Sequence, residues 1–107
     1  MPATSPRLAV LRGFVAKQPN DPFPRYGLAM ELKGLGETAE ALTTFAELLE
    51  NHPTYLASYG PAADLLATQG KTAEAIAIYE KGIVTAASQG NHHIKDLLED
   101  SLSALQG

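Results

Sequence analysis

Gly36-Glu37-Thr38-Ala39-Glu40-Ala41-Leu42-Thr43-Thr44-Phe45 is echoed by Gly70-Lys71-Thr72-Ala73-Glu74-Ala75-Ile76-Ala77-Ile78-Tyr79, with an offset of 34 residues throughout. A fixed period of that size marks a chain built from stacked helix pairs. Outward from this stretch the register holds. Pro19 and Pro53 are 34 apart, and three apolar columns align: Leu8, Leu42 and Ile76; Leu11, Phe45 and Tyr79; Val15, Leu49 and Ile83. The N-terminal segment therefore matches only the second helix of a pair.

Punctuation agrees with helices. Ser5-Pro6 and Asp21-Pro22 read as an N-cap followed by proline in the first turn, where a missing N–H costs nothing, and Pro24 still lies in that turn. Gly36 and Gly70 stand where helices stop in a left-handed C-cap, and Gly90-Asn91 supplies another stop and start. Thr38 and Thr72 are expected to cap the next helices, with Glu40 and Glu74 near the positive helix ends. The pattern predicts an all-α chain with helices at about 5–18, 22–34, 38–51, 56–69, 72–88 and 91–105, each with apolar residues near i, i+3, i+4 and i+7. Short links make neighbours antiparallel. Gly60-Pro61 interrupts the fourth helix, which either starts late or is kinked, because an interior proline loses a hydrogen bond.

The last helix breaks the period. Ala87 stands where a third proline would fall. Ile94, Leu97, Leu98, Leu102 and Leu105 form an apolar stripe, while Lys95, Asp96, Glu99, Asp100 and Ser103 face away. Such a helix caps the exposed end of a stack, whose terminal element needs a polar outer face.

Composition bounds the function. The 107 residues suit one domain, 1–107, and with 45% apolar and 19% charged residues the chain can bury a core. A net charge of −4 without any Lys/Arg block argues against a nucleic-acid groove. The absence of cysteine excludes disulfides and thiolate metal sites. No secretory signal is recognised, and no apolar run approaches the ~18 residues of a membrane span, so a soluble cytoplasmic protein is expected.

The residues resemble the tetratricopeptide repeat, whose pattern runs W-x2-L-G-x2-Y, then A-x3-F, then P. The first full repeat, 22–53, reads Arg25-x2-Leu28-Ala29-x2-Leu32, Ala41-x3-Phe45 and Pro53. The second, 56–88, reads Tyr59-x2-Ala62-Ala63-x2-Leu66 and Ala75-x3-Tyr79, with no closing proline. The half repeat is 5–18 and the capping helix 91–105. The resemblance implies a short right-handed α-solenoid in which Ala29, Ala63, Ala41 and Ala75 permit close helix approach and Phe45 and Tyr79 fill space between pairs. Arg25 departs from the pattern by occupying an aromatic slot, where its aliphatic stem can substitute.

The same resemblance implies a concave groove lined by the first helix of each pair. It carries over to Phe23, Tyr26, Met30 and Lys33 in one repeat and to Ala57, Gly60, Asp64 and Ala67 in the other. Phe23, Tyr26 and Met30 follow i, i+3, i+7 spacing and suit an apolar or extended peptide. The alternative is that the half-repeat helix covers Phe23 and Tyr26. Family members that hold an acidic C-terminal tail do so with a clamp of Lys, Arg and Asn. Tyr26, Met30, Gly60 and Asp64 replace those residues, so no clamp is expected.

His92 and His93 point about 100° apart on a helix and do not converge on a metal. His93 and Asp96 share a face but make only two ligands. Ser58, Ser88, Ser101 and Ser103 lack any elbow motif, and Glu47, Glu50 and Asp64 read as surface acids. The sequence thus predicts no enzyme, no cofactor and no metal. The expected role is a protein-interaction module binding a peptide or helix. The alternatives are a self-associating structural protein, with a weak homodimer, and a small-molecule or catalytic protein lacking a convergent polar cluster.

Overall fold

The computed structural model describes residues 5–107. Among these the chain is all-α, with antiparallel neighbours: α1 (Pro6–Lys17), α2 (Pro22–Gly34), α3 (Thr38–Asn51), α4 (Tyr59–Thr68), α5 (Thr72–Ser88) and α6 (His92–Gln106). A 3-10 turn, Leu56–Ser58, leads into α4. The helices form two compact units, one ending at His52 and one beginning at Pro53.

The starts of α1 and α2 follow from their caps. The Ser5 hydroxyl accepts the Leu8 N–H at 3.0 Å, and the Asp21 carboxylate accepts the Phe23 N–H at 3.0 Å. Each occupies one of the backbone donors left over at a helix start. Pro6 and Pro22 are the first residues of α1 and α2.

Three helices end in one motif. Gly36, Gly70 and Gly90 have φ of 78°, 77° and 69°, which a side chain would strain. Gly36 N–H donates to Lys33 O and Glu37 N–H to Leu32 O; Gly70 and Lys71, then Gly90 and Asn91, repeat the two bonds. This is the Schellman arrangement. It also corrects the expected caps. Because each new helix begins one residue after its glycine's successor, Glu37 and Lys71 take the cap positions, without side-chain capping bonds. Thr38 and Thr72 are already the first helical residues. Of the residues that follow these three glycines, Asn91 alone caps with its side chain, accepting the Ile94 N–H at 3.1 Å.

The interruption at Gly60-Pro61 resolves as a late start. The 56–58 segment is a 3-10 turn and α4 begins at Tyr59, so Pro61 lies in the first turn, where its missing N–H would have had no helical partner.

In the first unit the core comprises Leu8 of α1, Leu28, Ala29 and Leu32 of α2, and Ala41, Phe45, Leu48 and Leu49 of α3. A buried Leu or Phe contributes about 1.5–3 kcal/mol relative to exposure. Small residues set the spacing: a Cβ at Gly27 would stand 3.1 Å from Leu11 Cδ2, so α1 rests directly on α2. Ser5 Oγ donates to Glu31 Oε2 at 3.0 Å, tying the start of α1 to α2. Arg12 on α1 forms a two-pronged pair with Glu40 on α3, at 2.7 and 3.0 Å. Buried Thr44 satisfies its hydroxyl by donating to Glu40 O at 2.8 Å.

The second unit closes around Tyr59, which is fully buried and donates its hydroxyl to Pro53 O at 2.6 Å. Ala62, Ala63, Ala75, Tyr79 and Ala86 are buried in the same unit. Leu98 brings α6 in: it is 4% exposed and lies against Gly82 of α5 and Gly60 of α4. Leu97 departs from the expected stripe. It is 53% exposed, because it sits about 100° round the helix from Leu98 and points away from α4 and α5.

Candidate functional site

In the first unit, α2 is held on two sides. Gly27 and Glu31 face α1, and Arg25 reaches toward α3, with Nη1 3.8 Å from Glu47 Oε2. The Arg25 side chain is only 18% exposed, so its stem is sunk in the slot that Tyr59 fills in the second unit. The remaining face of α2 carries Phe23, Tyr26, Met30 and Lys33. Phe23 is 69% exposed, so α1 does not cover it, and Tyr26, Met30 and Lys33 are half-buried. Their spacing puts an exposed ring, a half-buried ring and a thioether along one line, ending at a cation in the last turn of α2.

The corresponding residues of the second unit are differently employed. Ala57 and Asp64 are exposed and Gly60 and Ala67 half-buried. A methyl group on Gly60 would stand 3.7 Å from Leu98 Cδ2, so this position looks onto α6. Asp64 of α4 accepts the Tyr79 hydroxyl of α5. Burial first, then the Asp64 carboxylate, pushes the Tyr79 hydroxyl up to about 12. Tyr79 thus stays protonated and works as a latch between α4 and α5. The sequence places Tyr79 among packing residues; the polar contact of its hydroxyl becomes visible only once both helices are in place.

Of the remaining packing positions, Leu28, Ala29, Leu32, Ala41, Phe45, Tyr59, Ala63, Ala75 and Tyr79 are buried, Leu66 is half-buried, and Pro53 is exposed while its carbonyl receives Tyr59. Sequence reasoning missed two features. Gly82 carries no signal in the sequence, yet a Cβ there would collide with Tyr59 and Leu98 at 2.8–2.9 Å. The outer face of α1 also escaped notice, with Val10 56% and Phe14 49% exposed. Its signal was present: α1 is apolar nearly all round, which a surface helix is not.

Charge is sparse at these faces. The Arg12 guanidinium holds the Glu40 carboxyl below its ordinary range, chiefly through the hydrogen bonds between them, and Glu40 raises Arg12 in return. Among the described residues no group of three or more His, Asp or Glu could hold a metal ion, and no helix is long and apolar enough to cross a membrane.

A family model for the tetratricopeptide repeat matches residues 25–55. Two solved structures of a tetratricopeptide repeat domain protein from Salinibacter ruber superpose on this chain. The solution structure is 34% identical, with a TM-score of 0.80, covering 83% of this chain and 90% of that one. The crystal structure is 33% identical, with a TM-score of 0.78, covering 81% and 98%. A protein from Bordetella parapertussis shares the fold at 22% identity, with a TM-score of 0.81 over 96% of this chain and 90% of that one. No curated protein matches. The match begins at Arg25 itself, and a third of the residues are shared across most of both chains. Together with the Schellman-punctuated helix pairs, these findings place the chain in the tetratricopeptide-repeat family, to which it belongs.

Proposed function

We propose that this chain is a non-enzymatic, cytoplasmic protein-interaction module that receives a peptide or helix of a partner protein on the α2 face of its first unit. The observation that carries this reading is Phe23, 69% exposed on an ordered helix, in line with Tyr26 and Met30. A large exposed ring gains ~1.5–3 kcal/mol on burial, and aromatic anchors beside a flexible methionine accept apolar side chains of varied shape. Lys33 at the end of the line favours a partner segment with an acidic residue at that end. The repeat fold supports the reading at the level of class: such arrays present helix faces to other proteins.

The test is the double change Tyr26→Ala with Met30→Ala. Partner capture is lost and helical circular dichroism is retained. Capture that survives the double change places the partner site elsewhere. Because the clamp positions are Tyr26 and Met30, an acidic peptide with a free C-terminal carboxylate gives no isotherm at ~100 μM.

A second role, self-association, uses other exposed apolar residues: Val10 and Phe14 on α1 and Leu97 on α6.

A further inference from the structure

Among the described residues, α1 and α6 are each one half of a helix pair. In the 34-residue register, Arg7, Val10 and Phe14 of α1 align with Ala41, Thr44 and Leu48 of α3 and with Ala75, Ile78 and Gly82 of α5. Ala41, Thr44, Leu48, Ala75 and Gly82 are buried and Ile78 half-buried, on the side of a second helix that meets the first helix of its own pair. Val10 and Phe14 are 56% and 49% exposed, since among the described residues no first helix covers them. At the other end, Asp96, Leu97 and Asp100 of α6 align with Leu28, Ala29 and Leu32 of α2 and with Ala62, Ala63 and Leu66 of α4. Those are the positions by which a first helix meets its second helix, and all but half-buried Leu66 are buried. In α6 the same positions are exposed, Leu97 at 53%.

We propose that α6 of one copy docks on α1 of another, so that two copies complete one helix pair between them. The occupant of each face is a second copy of this chain, joined head to tail. This rests on the self-association reading and leaves the α2 face free for a partner.

Two observations select this occupant. In register α1 is a second helix whose first-helix side is exposed, and α6 is a first helix whose second-helix side is exposed, so the two faces are complementary. The charges also oppose. Residues 5–18 hold Arg7, Arg12 and Lys17 and no acid; residues 91–107 hold Asp96, Glu99 and Asp100 against Lys95 alone, and Lys95 pairs with Glu99 at 3.0 Å. Asp96 and Asp100 stand four apart on the exposed side of α6. Arg7 is 76% exposed at its side chain and touches Glu31 only at 3.8 Å, so its head can turn to those carboxylates. Opposite charge sets the register, while Val10, Phe14 and Leu97 supply the apolar contact. Head-to-head pairing of two α1 faces would set Arg7 and Lys17 against like charges, and tail-to-tail pairing would do the same for Asp96 and Asp100. A single helix face is well below the ~800 Å² per partner of a standard interface, so the association is weak and shows at high concentration. Being heterologous, it closes into a ring or extends as a chain.

The experiment uses the full chain and sedimentation equilibrium up to ~1 mM. Phe14→Asp blocks the head and Leu97→Arg blocks the tail; both positions are exposed, so helical circular dichroism is unchanged. The wild-type chain rises above its 11.3 kDa monomer mass at low salt and falls back as salt screens the charges. Each variant alone stays at monomer mass. An equimolar mixture forms a one-to-one dimer and nothing larger, since it retains a single intact head and a single intact tail. Val10→Asp and Asp100→Lys form a second head-and-tail pair with the same expected pattern. The proposal is overturned by a wild-type chain that stays at monomer mass throughout, by single variants that associate like the wild type, or by a mixture of the two variants that stays monomeric.

Discussion

Gly82 of α5 lies so close to Tyr59 of α4 that a Cβ on the glycine would stand 2.8 Å from the Tyr59 Cβ, with Leu98 Cδ1 at 2.9 Å on its other side. Three helices of the second unit meet at this point. Tyr59 cannot give way, because the clash is with the root of a fully buried side chain whose hydroxyl is tied to Pro53 O. Gly82→Ala therefore destabilises the chain by about 1–3 kcal/mol of overpacking, against a helix-propensity gain of about 1 kcal/mol. Gly13 is the control. Nothing lies within 4 Å of a Cβ there, so Gly13→Ala stabilises by about 0.5–1 kcal/mol. Urea unfolding of the two variants reads opposite signs; equal signs refute the packing described for Gly82.

Ser58 tests the polar side of the same unit. It is fully buried, and its hydroxyl has no hydrogen-bond partner in the structure. An unpaired buried hydroxyl costs about 1–3 kcal/mol. Ser58→Ala removes that cost with almost no change of volume, so the midpoint of urea unfolding rises. A fall of the midpoint would mean that the hydroxyl has a partner in solution.

Arg12 and Glu40 give a pH signature. The Glu40 carboxyl is held below its ordinary value by Arg12, so its folded pKa is depressed. A depressed carboxylate contributes stability that is present above the unfolded value of 4.5 and disappears as pH falls through the folded value. Both side chains are nearly half exposed, at 47% and 46%, so solvent screening limits the pair to about 0.2–1 kcal/mol at neutral pH. A double-mutant cycle with Arg12→Met and Glu40→Gln reads that coupling near pH 7. It vanishes at pH values below the carboxylate range. A coupling independent of pH contradicts the ion pair.

Tyr79 makes the polar link between α5 and α4 of its unit. Tyr79→Phe deletes the donor to Asp64 while keeping the buried ring. Asp64 is exposed and rehydrates, so the loss is about 0.5–1.5 kcal/mol. Hydrogen exchange then quickens in α4 and α5. An unchanged urea midpoint and unchanged exchange in both helices would show that the hydroxyl does not hold them together.

The architecture was legible because its signals repeat. Gly36 and Gly70 recur in place, and the columns through Leu8, Leu11 and Val15 carry the helix period, so element type and order are legible in the sequence. What could not be read depends on neighbours. Thr38 and Thr72 looked like caps because threonine favours that role in isolation. The Schellman turn leaves one residue between its glycine and the next helix, and that residue is Glu37 or Lys71. Leu97 looked buried because it adjoins Leu98, but a 100° step turns it outward. Gly82 carries no local signal at all, since its importance lies in where Tyr59 and Leu98 arrive. At the candidate site the exposure of Phe23 was open in the sequence, because α1 could have covered it. The partner's identity has no counterpart in the repeat: Tyr26 and Met30 differ entirely from Gly60 and Asp64.

The most direct measurement is a chemical-shift map on the full chain, using a peptide selected from a random library for binding to it. Amide signals of Phe23, Tyr26, Met30 and Lys33 and the methyl signal of Met30 shift on titration, and Tyr26→Ala with Met30→Ala weakens binding at least ~10-fold, a loss of about 1.4 kcal/mol. Shifts confined to α5 and α6, with unaltered affinity in the double variant, would contradict a partner face on α2.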